Sequence, residues 1–457
     1  MSTSEEERAM GGGIPSAVRQ TVRDAAREDG PAETARSGSS PVYVTGIGVA
    51  APNGLGLERY WEAVLAGRSG IVPISRFDTS RYPARLAGQI EDFDASTHLP
   101  SRLLPQTDVS TRLALSAADW AIADAGVDAS SATDYDMGVV TANGCGGFDF
   151  THREFKKLWS EGPQAVSVYE SFAWFYAVNT GQISIRNGMR GPSSALVAEQ
   201  AGGLDALGHA RRTVGRGTPL MVTGGVDSAF DPWGWVSHLS SGRISHATDP
   251  ERAYLPFDRE ARGQVPGEGG AILLVEDPAA ARARGARRVY GELAGYASTF
   301  DAAPGRVRGR AAHPARPRRG RAAGLRRAAR LALTEAGLEP QDVDVVFADA
   351  AGVRDLDRVE AAAIRDLFGV HGVPVTAPKA LTGRLGAGGG PLDVATALLS
   401  IRDGVIPASG ATADVPAEYG IDVVTGAPRE IRVRHALVLA RGRWGFNSAV
   451  VVRAATT

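Results

Sequence analysis

The stretch GPSSALVAEQAGGLDAL, residues 191–207, places Gln200 where a short apolar strand turns into an amphipathic helix. A side chain at such a corner projects from the turn, and the free amides of the helix N-terminus point toward whatever lies there. The position suits a nucleophile, because the helix end lowers the pKa of a cysteine and its amides can stabilise an oxyanion. Gln200 supplies neither, since a carboxamide has no titratable proton and is not nucleophilic at neutral pH. It can only donate and accept hydrogen bonds. The single cysteine, Cys145, sits in ANGCGG with no base beside it in sequence, so it reads as a small apolar residue rather than a reactive thiol. One cysteine forms no internal disulfide and no thiolate cluster for structural zinc; no metal, redox group or bound cofactor is expected. Residues 146–159, GGFDFTHREFKKLW, put Phe148, Thr151 and Phe155 at spacings of three and four, on one face of a helix. Taken alone, such a stripe is ordinary core.

These residues need a scaffold, and the chain alternates strand and helix signals from residue 41 onward. PVYVTGIGVAAPNG is a buried strand with its exit loop, LALSAADWAIADAGV a helix stopping at Gly126, and DMGVVTANG a short strand. The same unit returns as RAARLALTEAGLEPQDVDVVFADAAG, a helix ending at Ala336 and Gly337, an acidic loop and a strand. A duplicated α/β protein follows, with helices covering mostly parallel sheets. The first half spans residues 41–286, closing on GGAILLVED, and the second spans 287–457, opening on RRVYGELAGYA. Residues 1–40 are polar, carry no signal-peptide pattern and are expected to be a disordered extension. Residues 305–330 hold ten arginines among Ala, Gly and Pro. Without aromatic residues to stack bases, that run reads as a solvated, poorly ordered loop rather than a phosphate-binding arm.

Composition excludes several partners. Fifty Lys and Arg against fifty-one Asp and Glu leave a net charge of −1, so nothing global draws the chain to nucleic acid or an anionic membrane. No run of eighteen apolar residues occurs, and the expected location is the cytoplasm.

At the Gln200 corner the sequence resembles the β-ketoacyl synthases of the thiolase superfamily, with Gln200 standing where they carry the catalytic cysteine. VTGIGVAAPNG, LPFDREARGQVPGEGGAILLVED, DAAGVRDLDRVEA, PKALTGRLGAGGG and GRWGFNSAVVV follow in that family's order. The resemblance covers residues 41–457 and implies a thiolase-like fold of αβαβα layers. It also implies two histidines that assist malonyl decarboxylation, and here those positions hold Ala351 and Arg384. None of the eight histidines (His98, His152, His209, His238, His246, His313, His371, His435) falls at either place. Glu360 and Lys379 match the family's supporting acid and lysine and would form a structural pair. The glycine-rich loop of the oxyanion hole is altered by Arg443 and Trp444.

Glutamine in VAEQAGG resembles the chain length factor, the ketosynthase β subunit of bacterial type II aromatic polyketide synthases. That resemblance implies a noncatalytic subunit paired with a ketosynthase α subunit in an obligate heterodimer, with substrates carried on the phosphopantetheine of an acyl carrier protein. It assigns Phe148, Thr151 and Phe155, with Trp233 from DPWGW, to the wall of the tunnel that stops the growing chain. Their bulk implies a short tunnel ending near an octaketide. An alternative from a different class is a decarboxylase that makes acetyl primer from malonyl carrier protein, with Gln200 hydrogen-bonding the thioester or enolate oxygen.

Overall fold

The computed structural model describes residues 41–128, 135–301 and 321–455. The extension 1–40 and most of the arginine run, 302–320, lie outside the described residues. Ten strands carry the core, most of them apolar runs: β1 Tyr43–Ala51, β2 Met137–Ala142, β3 Ser193–Leu196, β4 Leu220–Asp227 and β5 Gly269–Glu276, then β6 Gly291–Phe300, β7 Val345–Phe347, β8 Pro374–Thr376, β9 His435–Arg441 and β10 Phe446–Arg453.

The first five lie in the order β3-β2-β4-β5-β1, and the second five repeat it as β8-β7-β9-β10-β6. Pairing directions repeat as well. β2 is parallel to β3 and β4, whereas β5 runs antiparallel to β4 and β1. β7 is likewise parallel to β8 and β9, and β10 antiparallel to β9 and β6. The two sets touch where Tyr43 and Val44 of β1 meet Glu292 and Gly291 of β6.

Helices fill three layers around these sheets. α1 (Val109–Ala125) and α2 (Val178–Arg186) cover the outer face of the first sheet, and Asp108 and Gly126 close the ends of α1. The Asp108 carboxylate accepts from Ser110 N, and Gly126 takes the left-handed φ of 65° that ends the helix without a Cβ clash. α3 (Gly202–Val214) and α4 (Gly389–Asp403) pack against strands of both sheets and form the middle layer. Leu204 and Leu207 of α3, Leu392 and Leu398 of α4, Leu273 of β5 and Val450 of β10 share one buried cluster there. α5 (Arg321–Ala336) and α6 (Arg354–Phe368) cover the far face of the second sheet. This is the thiolase-like fold.

Two expectations are corrected here. The helix read from Arg327 onward begins six residues earlier, inside the arginine-rich stretch expected to be a loop, because Leu325, Ala328 and Ala329 recur at helical spacing and are buried against the second sheet. Arginines on the intervening positions masked that face. The strand expected over VDVVFADA spans only Val345–Phe347, since the chain leaves the sheet at Ala350, whose φ is 50°.

Candidate functional site

The corner at Gln200 is built by β3, a single turn of 3-10 helix over Glu199–Ala201, and α3. Gln200 is 1% exposed, and neither Oε1 nor Nε2 has a hydrogen-bond partner among the described residues. A Cβ at Gly389, the first residue of α4, would lie 2.4 Å from Gln200 Nε2, so a larger residue there would push the carboxamide aside. Beside it, Glu199 holds a φ of 50°, and its Oε2 accepts from Arg443 N at 2.6 Å. Of the five non-glycine residues with a left-handed φ among those described, Glu199, Ala350 and Trp444 stand in these loops, so the chain is held in strained turns here. The loops issue from the carboxyl ends of β3, β7 and β9, where open α/β sheets place their ligands.

Ala351 is buried in the loop after β7. Arg384, 8% exposed, donates to Asp349 Oδ1 at 2.9 Å, to the Asp349 carbonyl at 2.7 Å and to the Arg441 carbonyl at 3.3 Å. Asp349 also accepts from Arg441 N at 2.8 Å, and the Arg441 guanidinium lies 3.4 Å from its other oxygen. Burial alone would raise the Asp349 carboxyl, but Arg384, Arg441 and Lys379 outweigh it and hold it well below the usual carboxylate range. An ion pair fills this space, and its guanidinium does not titrate near neutral pH.

Glu360 and Lys379 do not form the expected pair. Lys379 Nζ lies 2.6 Å from Asp393 Oδ2 and donates to the Ala348 carbonyl, while the Glu360 carboxylate accepts from Asp349 N at 2.7 Å and Ala350 N at 2.9 Å. Each has nearer partners: α4 brings Asp393 to the lysine, and α6 places Glu360 under the turn that carries Asp349.

A second locus adjoins the corner. The 14-residue helix α7 (Phe148–Glu161), numbered after those above, carries Phe148, Thr151 and Phe155 on one face. The short helix α8 (Pro232–Leu239), capped by Asp231, presents Trp233 opposite them. Ring centroids lie 4.9 Å apart for Phe148 and Trp233 and 5.6 Å for Phe155 and Trp233. All four side chains line one cavity of about 590 Å³, and Cys145 lies at its edge. Burial pushes the Cys145 thiol's pKa well up, and the charges of Asp227, Glu199, Asp108 and Asp231 push it further, which disfavours the thiolate.

Sequence reasoning missed four residues here. Glu170 and Trp174 line the same cavity from the irregular stretch ESFAWFYA, which has no readable period. Asp227 ends an apolar strand and Asp349 follows one by two residues, and an acid so placed was the only available signal. Asp227 is buried and accepts from Gly144 N at 2.9 Å, Cys145 N at 3.2 Å and Ala387 N at 2.7 Å, tying the cavity's edge to the loop before α4.

These buried acids carry a pH prediction. Burial raises Asp108 to about 7 and Asp227 to about 6, against 3.8 for a free aspartate. The folded protein therefore keeps protons that the unfolded chain releases. The resulting stability is fully present below about pH 4 and is lost as pH rises through 6 to 7. His238, pushed down to about 4 by burial, acts in the opposite direction. The Asp108→Asn, Asp227→Asn variant should thus show a weaker decline in urea midpoint from pH 5 to 7.5 than the parent; an unchanged difference across that range refutes it.

Among the described residues no group of three or more His, Cys, Asp or Glu could hold a metal, and no helix is long and apolar enough to cross a membrane.

Residues 39–280 match the β-ketoacyl synthase N-terminal domain and residues 290–412 its C-terminal domain. The chain is 71% identical over 412 residues to the actinorhodin polyketide β-ketoacyl synthase 2 of Streptomyces coelicolor, covering 90% of this chain and 98% of that one. It is 58% identical over 418 residues to the tetracenomycin polyketide synthase ketoacyl synthase β subunit of Streptomyces glaucescens, covering 91% and 99%. Among solved structures, the ishigamide ketosynthase/chain length factor superposes with a TM-score of 0.81 at 26% identity, covering 91% of this chain and all of that one.

Proposed function

Because the chain belongs to the β-ketoacyl synthase family, among the β subunits of type II polyketide ketosynthases, we propose that it performs no condensation itself and instead sets polyketide chain length for a ketosynthase α subunit. The observation that carries this reading is the aromatic cavity, where Phe148, Thr151, Phe155 and Trp233 converge from two helices. A growing chain stops where rings fill its path, since forcing further atoms into packed protein costs roughly 1–3 kcal/mol or more. The corner supports the same division of labour. Gln200 has no nucleophilic atom, and the family's two histidine positions hold the methyl of Ala351 and the engaged guanidinium of Arg384. The α subunit supplies the cysteine, and a carrier protein brings malonyl units on phosphopantetheine.

Partner and assembly follow from the sheet. β3 is an outer strand that pairs only with β2, leaving one hydrogen-bonding edge open. Val197 just beyond it and Trp174, Phe175 and Tyr176 before α2 are exposed apolar residues. Such an edge calls for cover by another strand, and a homologous ketosynthase fold offers one. An obligate heterodimer burying more than about 2,000 Å² is expected. Co-expression with a ketosynthase α subunit tests the whole reading: a stable 1:1 complex by light scattering, whose polyketide product is near octaketide mass, supports it. A chain that remains a folded monomer without affinity for the α subunit sinks it.

A second reading rests on Gln200 alone. Both atoms of its carboxamide are buried and unpaired, which suits a hydrogen bond to a malonyl thioester or to the enolate left by decarboxylation. Carbon dioxide release from malonyl carrier protein should be unchanged in Gln200→Ala if the subunit is only structural. Release that falls with this substitution favours the decarboxylase.

A further inference from the structure

The wall of the aromatic cavity is not wholly apolar. Thr151 is 6% exposed, and its Oγ1 is buried without a hydrogen-bond partner among the described residues. Across from it, Glu170 Oε2 is buried and unpaired in the same way. The acid's nearest like charge is already engaged, because Glu154 is held by Lys157 at 2.7 Å and by Ser167 N at 2.7 Å. Glu170 itself is fixed at its backbone, where its N–H donates to the Ser167 carbonyl at 3.0 Å. Burial raises the Glu170 carboxyl above its ordinary value, the Thr151 hydroxyl opposes this and Glu154 adds to it. A protonated carboxyl donates to a carbonyl oxygen and a carboxylate accepts from an enol hydroxyl, so either form can meet an oxygenated chain.

The rings of Phe148, Phe155, Trp174 and Trp233 offer these two groups no hydrogen bond, and the Thr151 hydroxyl stands close enough to the Glu170 carboxylate to favour its charged form without meeting hydrogen-bond geometry. Unpaired buried polar atoms are expensive, so they recur where an incoming molecule completes them. The geometry points to Glu170, seconded by Thr151, as a specificity-determining group that hydrogen-bonds a carbonyl or enol oxygen of an oxygenated acyl chain and disfavours a reduced chain of equal length. A poly-β-ketone carries an oxygen on every second carbon, so one falls opposite the pair at each register the tunnel allows. A saturated chain leaves both atoms unpaired. No covalent step is involved. This inference rests on the reading of the cavity as the polyketide channel, and it adds the chemistry by which that channel tells its cargo apart.

The test uses the complex of the full chain with its α subunit. Two pantetheine-linked probes of equal length, one bearing carbonyl-mimicking oxygens at alternate carbons and one saturated, are titrated while tryptophan fluorescence of the cavity is followed. The parent should prefer the oxygenated probe by about tenfold, the size expected when a buried polar group is left unpaired. Glu170→Leu should abolish the preference, while Glu170→Gln, which keeps an N–H donor, should retain most of it. Equal affinities in the parent, or an undiminished preference in Glu170→Leu, overturn the inference while leaving the length-setting role intact. Binding of neither probe overturns both. Should the leucine variant misfold, the parent comparison still decides.

Discussion

Replacing Phe148 and Phe155 together with alanine is expected to lengthen the polyketide made by the complex by at least one two-carbon unit, with condensation in the α subunit preserved. Both rings pack at a tilt against Trp233 and border the cavity, so their removal joins freed space to space already open. The competing view treats the rings as core, and burial decides between them. A fully buried Phe→Ala change costs about 3–5 kcal/mol, whereas Phe148 and Phe155 are only half-buried in this subunit. The double variant should therefore stay folded, with a loss smaller than that range. Product mass from the co-expressed pair is the measurement. A soluble, active double variant whose product length is unchanged places the stop elsewhere.

The second large effect is on stability. Arg384→Ala is expected to destabilise the protein by about 3–5 kcal/mol, the usual penalty for leaving a buried charge without its partner. Asp349 is 1% exposed and would keep Arg441, whose guanidinium stands 3.4 Å away, the amide of the same residue and the weaker influence of Lys379. The contrast is the double change Arg384→Met, Asp349→Leu, which removes both charges and should recover much of the loss. Urea midpoints of the parent, single and double variants measure it. A single variant within about 1 kcal/mol of the parent, the range of a surface ion pair, shows that the clamp is solvated rather than buried.

Much of this protein was legible in its sequence because local signals there are strong. Apolar runs and Ala-Gly helix ends revealed the repeat, and its two halves fold with the same strand order and the same pairing directions. Gln200 at a strand-to-helix corner announced missing chemistry before any contact was known, because the limits of a carboxamide follow from residue type alone. The spacing of Phe148, Thr151 and Phe155 likewise fixed a shared helix face. What lay opposite each group depended on chain segments far apart in sequence. Lys379 matched Glu360 by motif, yet the turn into α4 delivers Asp393 to it instead. Asp349 owes its partners to Arg384 and Arg441, 35 and 92 positions away. Glu170 and Trp174 reach the cavity from an aperiodic stretch whose composition alone could equally suit a surface. Periodicity reports which face of an element is buried, but the identity of the atoms on the other side is decided only when the layers close.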